Sequence, residues 1–592
     1  MTVKEPTTGP DTAPDPDPEP RPDAAAETGA AETGAAERPR STDRVVFGVS
    51  AALVVAFIAW GILGTDTLSS VATAALGGIM SGGGWFFILA ASGFVVFALW
   101  LAISRYGRIP LGRDGERPEF RTSSWVAMMF SAGMGIGLMF YGVAEPLSFF
   151  TSPPPGSGAA PGTPAALDAA MATTLFHWTL HPWAIYAVVG LAIAYGTFRK
   201  GRSQLISAAF APLLGTRRTE GPLGRAIDIF AIFATLFGSA ASLGLGALQI
   251  GGGLKAGGWM ENPGTGLLVG IIAVLTVAFI VSAVSGVAKG IQWLSNINMV
   301  LAAILAFFVF VVGPTVLILN LLPGTVGHYL SDLASMAART GADGPEAASW
   351  LQSWTVFYWA WWISWTPFVG MFIARISRGR SVRQFIAGVI LIPSVVSLVW
   401  FAIFGGAAIS QQQSGNDLAS ASTEGQLFGL LQSYPGGAIL SVVAMLLVAI
   451  FFVSGADAAS VVMGTISQKG SIEPGRGIVI FWGTVMGAIA AVMLLVGGSD
   501  ALSGIQNITI IMALPFVIVM VALCVSLFKD LRSDPLMRRE NKASEAVEQA
   551  VEYGMEAHDG DFILTVKPRT MAEGAAEAKS RGGGTRLPGE PR

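Results

Sequence analysis

Long apolar runs separated by short polar stretches dominate the chain between residues 45 and 528. A helix needs about 20 consecutive apolar residues to cross the hydrocarbon core of a bilayer. Runs of that order fall near 45–64, 85–104, 123–145, 168–198, 226–252, 265–284, 293–322, 351–374, 384–408, 436–463, 477–498 and 504–528. The pattern predicts an all-α polytopic membrane protein with twelve transmembrane helices. The fourth and seventh runs exceed what the bilayer requires, so a tilt, a break or an interfacial extension is expected in each.

Basic residues test that count, because cytoplasmic loops collect Lys and Arg. The loops after runs 2, 4, 6, 8 and 10 hold 5, 6, 1, 4 and 2 of them, whereas every other connection within 45–528 shares only Lys255 and Arg339. This alternation places both termini in the cytoplasm. It also bears on architecture: if runs 3 to 7 form a unit of five, runs 8 to 12 form a second that starts from the opposite side. Such inverted repeats are built into many secondary transporters, which hold their substrate near the midplane at a discontinuous helix. Runs 1 and 2 then stand outside the repeat.

Composition excludes most other classes. Charged residues make up 13% and hydrophobic residues 52% of the chain, and the mean hydropathy is +0.59, whereas soluble proteins carry about 25% charge. Residues 1–44 hold five Lys/Arg and ten Asp/Glu, repeat the string AAETG and have few large apolar side chains. They cannot bury enough surface to offset chain entropy, and read as a disordered acidic cytoplasmic tail rather than a signal peptide. Residues 529–592, with 11 basic and 12 acidic residues, read as a second, partly helical cytoplasmic tail. The single Cys524 excludes an internal disulfide, and His177, His181, His328 and His558 make no metal-ligand pattern. No nucleophile constellation suggests an enzyme, no Walker A string suggests an ATP-driven pump, and no nucleic-acid partner is expected.

Candidate chemistry concentrates in three runs. The third, "SSWVAMMFSAGMGIGLMFYGVAEP", sets Gly133, Gly135 and Gly137 in mid-membrane. Each glycine weakens a helix by about 1 kcal/mol relative to alanine. Two readings follow: an unwound segment lining a cavity, or a small-residue packing seam. A dinucleotide fingerprint fails for want of a βαβ unit. The fourth and eighth runs hold "FHWTLHPWAIY" and "FYWAWWISWTPFVGMFIARISRGR". Trp and Tyr commonly sit in interfacial belts, but Trp359, Trp361, Trp362 and Trp365 are too tightly spaced for that. On a regular helix Trp362 and Trp365 share a face, as do Trp183 and Tyr186, while Trp178 lies about 80° from Tyr186 unless Pro182 changes the geometry.

Two aromatic clusters on different helices can close a cage whose π faces attract a quaternary ammonium. Acids within the runs are few: Glu145, Asp168, Asp228 and Asp457. A methylated cation has no N–H to offer and needs no carboxylate partner. A carboxylate on the same ligand can instead be met by backbone N–H groups at a half-helix N-terminus in the third run. Asp457 reads equally as a functional acid or a structural one.

"GMGIGLMFYGVAEP" and the eighth-run string resemble diagnostic stretches of the betaine/carnitine/choline transporter family, a resemblance covering roughly residues 45 to 530. The uninterrupted Gly133-Met134-Gly135-Ile136-Gly137 resembles the sodium-coupled glycine betaine branch; proton-coupled choline carriers tend to carry an acid at the last glycine. The resemblance implies a LeuT-like inverted five-plus-five repeat, a homotrimer in the bacterial plasma membrane, and uptake of glycine betaine or a similar small onium zwitterion. Na+ would be the coupling ion, with no covalent cofactor. Choline, carnitine, ectoine and dimethylsulfoniopropionate, with proton coupling or exchange, are alternative readings. An osmotically gated channel is another, against which the lack of a filter motif speaks.

By the same resemblance, Trp178, Trp183, Tyr186 and Trp362 would box the methylated group. Trp365 and Phe357 would flank the access path, and Gly133, Met134, Gly135 and Gly137 would form the broken backbone beside it. One sodium ion would sit near Ser131, Met134, Phe451 and Ser454, another near Thr235, Ser239 and Phe368. The chain departs from the family at Ser454-Gly455, where a pair of hydroxyl residues is expected. The terminal tail also lacks the polybasic character that a lipid-sensing osmotic switch would use.

Overall fold

The computed structural model describes residues 41–565 apart from 134, 286, 287 and 499, with backbone alone for 130, 132, 133 and 284–295. Among the described residues it is helical, with one isolated antiparallel bridge, Pro110 to Ser381. Helix α1 (Arg44–Leu63) opens at Asp43, whose carboxylate accepts from the N–H groups of Val45 at 3.0 Å and Val46 at 3.1 Å. Two donors that a helix start leaves unmet are thereby satisfied. Helix α2 (Thr65–Ile103) begins well before the apolar run expected at 85–104. Residues 65–84 contain no proline, so no backbone N–H is missing from the helix there.

The next crossings come in pieces: α3 (Thr122–Gly133) with α4 (Ile136–Thr151), and α5 (Pro164–Trp178) with α6 (Leu180–Ala194). Short helices α7 (Ala211–Leu214) and α8 (Thr216–Thr219) lead into α9 (Pro222–Ala256), α10 (Thr265–Ser285), α11 (Ala288–Val312) and α12 (Thr315–Ala338). The remainder runs through α13 (Pro345–Leu351), α14 (Phe357–Arg375), α15 (Val382–Gln413), α16 (Gln426–Gln432), α17 (Gly437–Ser467), α18 (Arg476–Gly497), α19 (Ala501–Arg532) and α20 (Pro535–His558).

Among the described residues nine helical stretches are long and apolar enough to span a membrane, and α11 with α12 makes a tenth as a pair bent by 108°. The run expected to continue to residue 322 is thus broken at Gly313-Pro314, where proline supplies no N–H to carry the helix on. The other two expected crossings are α3 with α4, each too short alone, and α14, whose indoles and hydroxyls lower its apolarity.

Burial sorts the helices into inner and outer sets. Over the 18-residue apolar window of each, the α5–α6 stretch is 94% buried and α9 83%, against 22% for α1 and 17% for α10. A helix apolar on all sides and buried on all sides belongs to the protein core; one exposed in the same apolar sequence faces lipid. Helix α14 lies against α6, α9 and α19, while α15 covers α4 and α6.

The Lys/Arg-rich loops gather at one end of this bundle. Leu111 N–H donates to Arg380 O at 2.7 Å and Val382 N–H to Ile109 O at 2.9 Å. Gly379 turns the chain there at φ +79°, where a Cβ would lie 2.4 Å from Arg117 O; only glycine fits both demands. Arg199 joins this end to the start of α20, reaching Asp114 at 2.6 Å and Asp534 at 3.0 Å. The guanidinium holds the Asp114 carboxyl below its ordinary range. Burial pushes Asp534 up, but Arg199, the Leu536 N–H and the Tyr195 hydroxyl outweigh it and leave that carboxyl low. The expected disordered tail up to residue 40, and the last part of the C-terminal tail from 566, lie outside the described residues.

Candidate binding site

Helix α3 ends at Gly133 and α4 starts at Ile136. Gly135 between them is extended, at φ −174° and ψ −177°, and no side chain caps α4. The first N–H groups of α4 are therefore free of intrahelical and capping partners. Of the two readings open in the glycine run, the structure has the interrupted helix beside a cavity: Gly135, Gly137 and Leu138 line it. Gly137 also serves close packing, since a Cβ there would meet Trp178 Cη2 and Trp361 Cη2, each at 2.8 Å. Met134 lies outside the described residues.

A second interruption faces the first. Thr179, at φ −120° and ψ −103°, separates α5 from α6. Pro182 then falls in the first turn of α6, where its missing N–H costs nothing. Helices α5 and α6 are thus not one regular helix, on which Trp178 and Tyr186 would lie about 80° apart. Both rings line the same cavity, with Trp183, Trp361, Trp362, Trp365, Val369 and Ser397. Trp178 meets Trp362 edge to face at 5.0 Å between centroids, Trp183 meets Tyr186 at 5.3 Å, and Trp361 stacks on Trp362 at 4.7 Å. Phe357 is not brought to the cavity; it is wholly buried and stacks on Trp361 at 5.5 Å.

The polar edges of the indoles are turned away from the cavity and anchored. Trp178 Nε1 donates to Glu145 Oε2 at 2.6 Å, Trp362 Nε1 to His177 O at 3.0 Å, Trp361 Nε1 to Ser242 Oγ at 3.1 Å and Trp365 Nε1 to Gly238 O at 2.9 Å. With these four N–H groups met by protein, their π faces remain for a ligand. Glu145 is the hub of this support. Wholly buried, it also accepts from the Tyr358 hydroxyl at 2.5 Å and lies 2.6 Å from His177 Nδ1, whose other nitrogen is 2.9 Å from Thr355 Oγ1. A buried carboxylate is tolerated only when hydrogen-bonded in this way. Sequence reasoning singled out Glu145 as a rare acid, yet nothing in the chain pattern tied it to Trp178 and Tyr358.

The cavity between the rings is small, about 40 Å³. Beyond Trp365 and Val369, which border both, a larger cavity of about 250 Å³ continues along α14 toward Phe372 and the basic end. It brings together residues expected at both sodium positions: Ser131, Phe451 and Ser454 from one, Ser239 and Phe368 from the other. Thr235 does not line it, and its hydroxyl donates to Ala231 O at 2.8 Å. Ser454 likewise donates to Ile450 O at 2.9 Å, which leaves its oxygen lone pairs available to a cation. The donor set of hydroxyls and backbone suits a hard monovalent ion. Asn298 lines the same cavity and was not foreseen.

Interrupted helices meeting at a central cavity inside a polytopic helical bundle define a membrane transporter for small solutes. Residues 45–536 match the family described as BCCT, betaine/carnitine/choline family transporter, and the chain belongs to it. Its work is transport, not catalysis. The chain is 47% identical over 538 residues to the betaine/ectoine transporter LcoP of Corynebacterium glutamicum, covering 90% of this chain and 85% of that one. It is 46% identical over 505 residues to the glycine betaine transporter OpuD of Bacillus subtilis, covering 85% and 97%. A solved Na+-coupled sialic acid symporter covers 79% of this chain and 98% of its own at 14% identity and a TM-score of 0.37, a likeness too loose to carry the fold.

Proposed function

We propose that the protein is a secondary symporter that imports glycine betaine, or a similar small onium zwitterion, together with Na+ by alternating access. The observation that carries this reading is the convergence of anchored indole faces and the uncapped start of α4 on one cavity. Ring faces attract the methylated cation, and the N–H groups and dipole of α4 offer the carboxylate a partner, so a zwitterion is held with no Asp, Glu, Lys, Arg or His among the residues lining the cavity. The names of LcoP and OpuD support betaine as the first substrate to try and ectoine as the second. Hydroxyl groups from three helices, on Ser131, Ser239, Ser242 and Ser454, line the larger cavity and support sodium as the driving ion. Alternation of basic loops supports twelve crossings with both termini in the cytoplasm, and with them a reading of the larger cavity as part of the path to the cytoplasm. Family resemblance supports an inverted repeat and a homotrimer.

Uptake of labelled glycine betaine into proteoliposomes, with and without an inward sodium gradient, tests the proposal. Saturable accumulation that needs the gradient is expected, with competition by ectoine, choline, carnitine and dimethylsulfoniopropionate ranking the substrates. Accumulation indifferent to sodium would overturn the coupling. Flux that never saturates would favour a channel.

A further inference from the structure

Asn298, on α11, is 1% exposed, and neither its Oδ1 nor its Nδ2 has a hydrogen-bond partner. Native proteins rarely leave a buried amide wholly unmet, and an orphaned donor is rarer than an orphaned acceptor. Asn298 is among the residues lining the cavity of about 250 Å³ that continues from the aromatic cage. Facing the same space are Trp365, Phe368 and Phe372. Trp365 commits its N–H to Gly238 O, so its ring face is what it offers to the cavity. No residue lining this cavity is ionisable among the described residues.

We infer that this cavity is a second, weaker resting site for the transported zwitterion, in which Asn298 Nδ2 donates to the carboxylate while Trp365, Phe368 and Phe372 face the methylated end. The inference rests on the symport reading of the cage above it. A carboxylate is the better occupant than a sodium ion because an ion would engage Oδ1 alone and leave the two N–H donors unmet. The space suits the ligand as well: pockets for drug-sized molecules run from about 300 Å³ upward, and a small zwitterion needs less. Neutral donors hold an anion loosely, and a site on an exit path must release what it receives. The tight cage and the loose site share Trp365, Val369 and Gly135, so a solute passes between them without crossing water.

Equilibrium binding of labelled glycine betaine to the purified full chain tests this. The wild type should show a tight and a weak component. Asn298→Leu should lose the weak component and keep the tight one, Trp362→Leu should do the reverse, and Asn298→Ser should restore part of the weak binding. In proteoliposomes Asn298→Leu should lower kcat several-fold with KM unchanged. Should Asn298→Leu fail to fold, judged by its melting temperature, Asn298→Ser gives the same direction with a smaller loss. A single class of site in the wild type, with Trp362-dependent binding intact, would overturn the inference and leave the symport reading standing. So would an Asn298 variant that shifts only the half-saturating sodium concentration, since that marks an ion ligand. Absence of any glycine betaine binding in the wild type would defeat the symport reading itself.

Discussion

Around the cage, Trp178, Trp361, Trp362 and Trp365 each donate their indole N–H to a protein acceptor and face only about 40 Å³ of space. In the neighbouring cavity about 250 Å³ is bordered by hydroxyls, an unpartnered amide and phenyl rings. The two regions share residues of α4 and α14, yet one is preset and the other is loose. Fixed ring planes spend no ordering entropy when a cation arrives, which is what selective recognition needs. Loose polar walls suit ions and solute in passage. On the proposed reading the cage, at about 40 Å³, widens to admit a trimethylated group. Tyr141, Trp354 and Tyr358 pack ring on ring next to Trp178.

The strongest way to break this comparison is to remove the support of the preset region. Glu145→Ala strands the Trp178 N–H, the Tyr358 hydroxyl and His177 in a dry interior. Breaking a buried, hydrogen-bonded charge network costs about 3–5 kcal/mol, so the melting temperature in detergent should drop clearly and solute binding should vanish. Glu145→Gln, which retains an acceptor, should recover part of both. An unchanged melting temperature in the alanine variant would mean that the ring planes are set by packing alone.

Next in size is the loss of one cage wall. A desolvated cation–π contact is worth about 2 kcal/mol, so Trp362→Leu should raise KM for uptake about tenfold or more while leaving the sodium dependence in place. Ser239→Ala, in the loose region, should do the opposite: little change in solute KM and a higher sodium requirement. If the two variants behaved alike, the division of labour between the regions would be lost.

What the chain pattern revealed of all this follows from how far apart the interacting residues lie. Apolar runs, the glycine break before Ile136 and the density of Trp in α14 are local properties, legible from composition and spacing. That Trp178 and Tyr186 border one cavity was hidden because a regular helix puts them apart, and the interruption at Thr179 leaves only Pro182 as a hint. Glu145, His177 and Tyr358 are joined across three helices at separations no periodicity encodes. Phe357, expected beside the access path, stacks on Trp361 and does not border the cavity. Asn298 carries no signal in an apolar run; its meaning comes wholly from the space it borders.

The smallest predicted effect sharpens the loose side. At Gly455 an added Cβ would meet nothing within 4 Å, so Ser fits where the family pattern has a hydroxyl and this chain has none. Serine is also the better helix former, so the substitution should not destabilise α17. If the sodium ion lies beside Ser454, a further oxygen ligand adds about 0.5–1.5 kcal/mol, the net worth of one polar contact. Gly455→Ser should then lower the half-saturating sodium concentration a few-fold, with glycine betaine KM and the cage's binding isotherm unmoved. Ser454→Ala should shift the sodium requirement in the other direction. A Gly455→Ser variant with wild-type sodium dependence would place the ion elsewhere along the cavity, because a new ligand set next to Ser454 would have proved irrelevant to it.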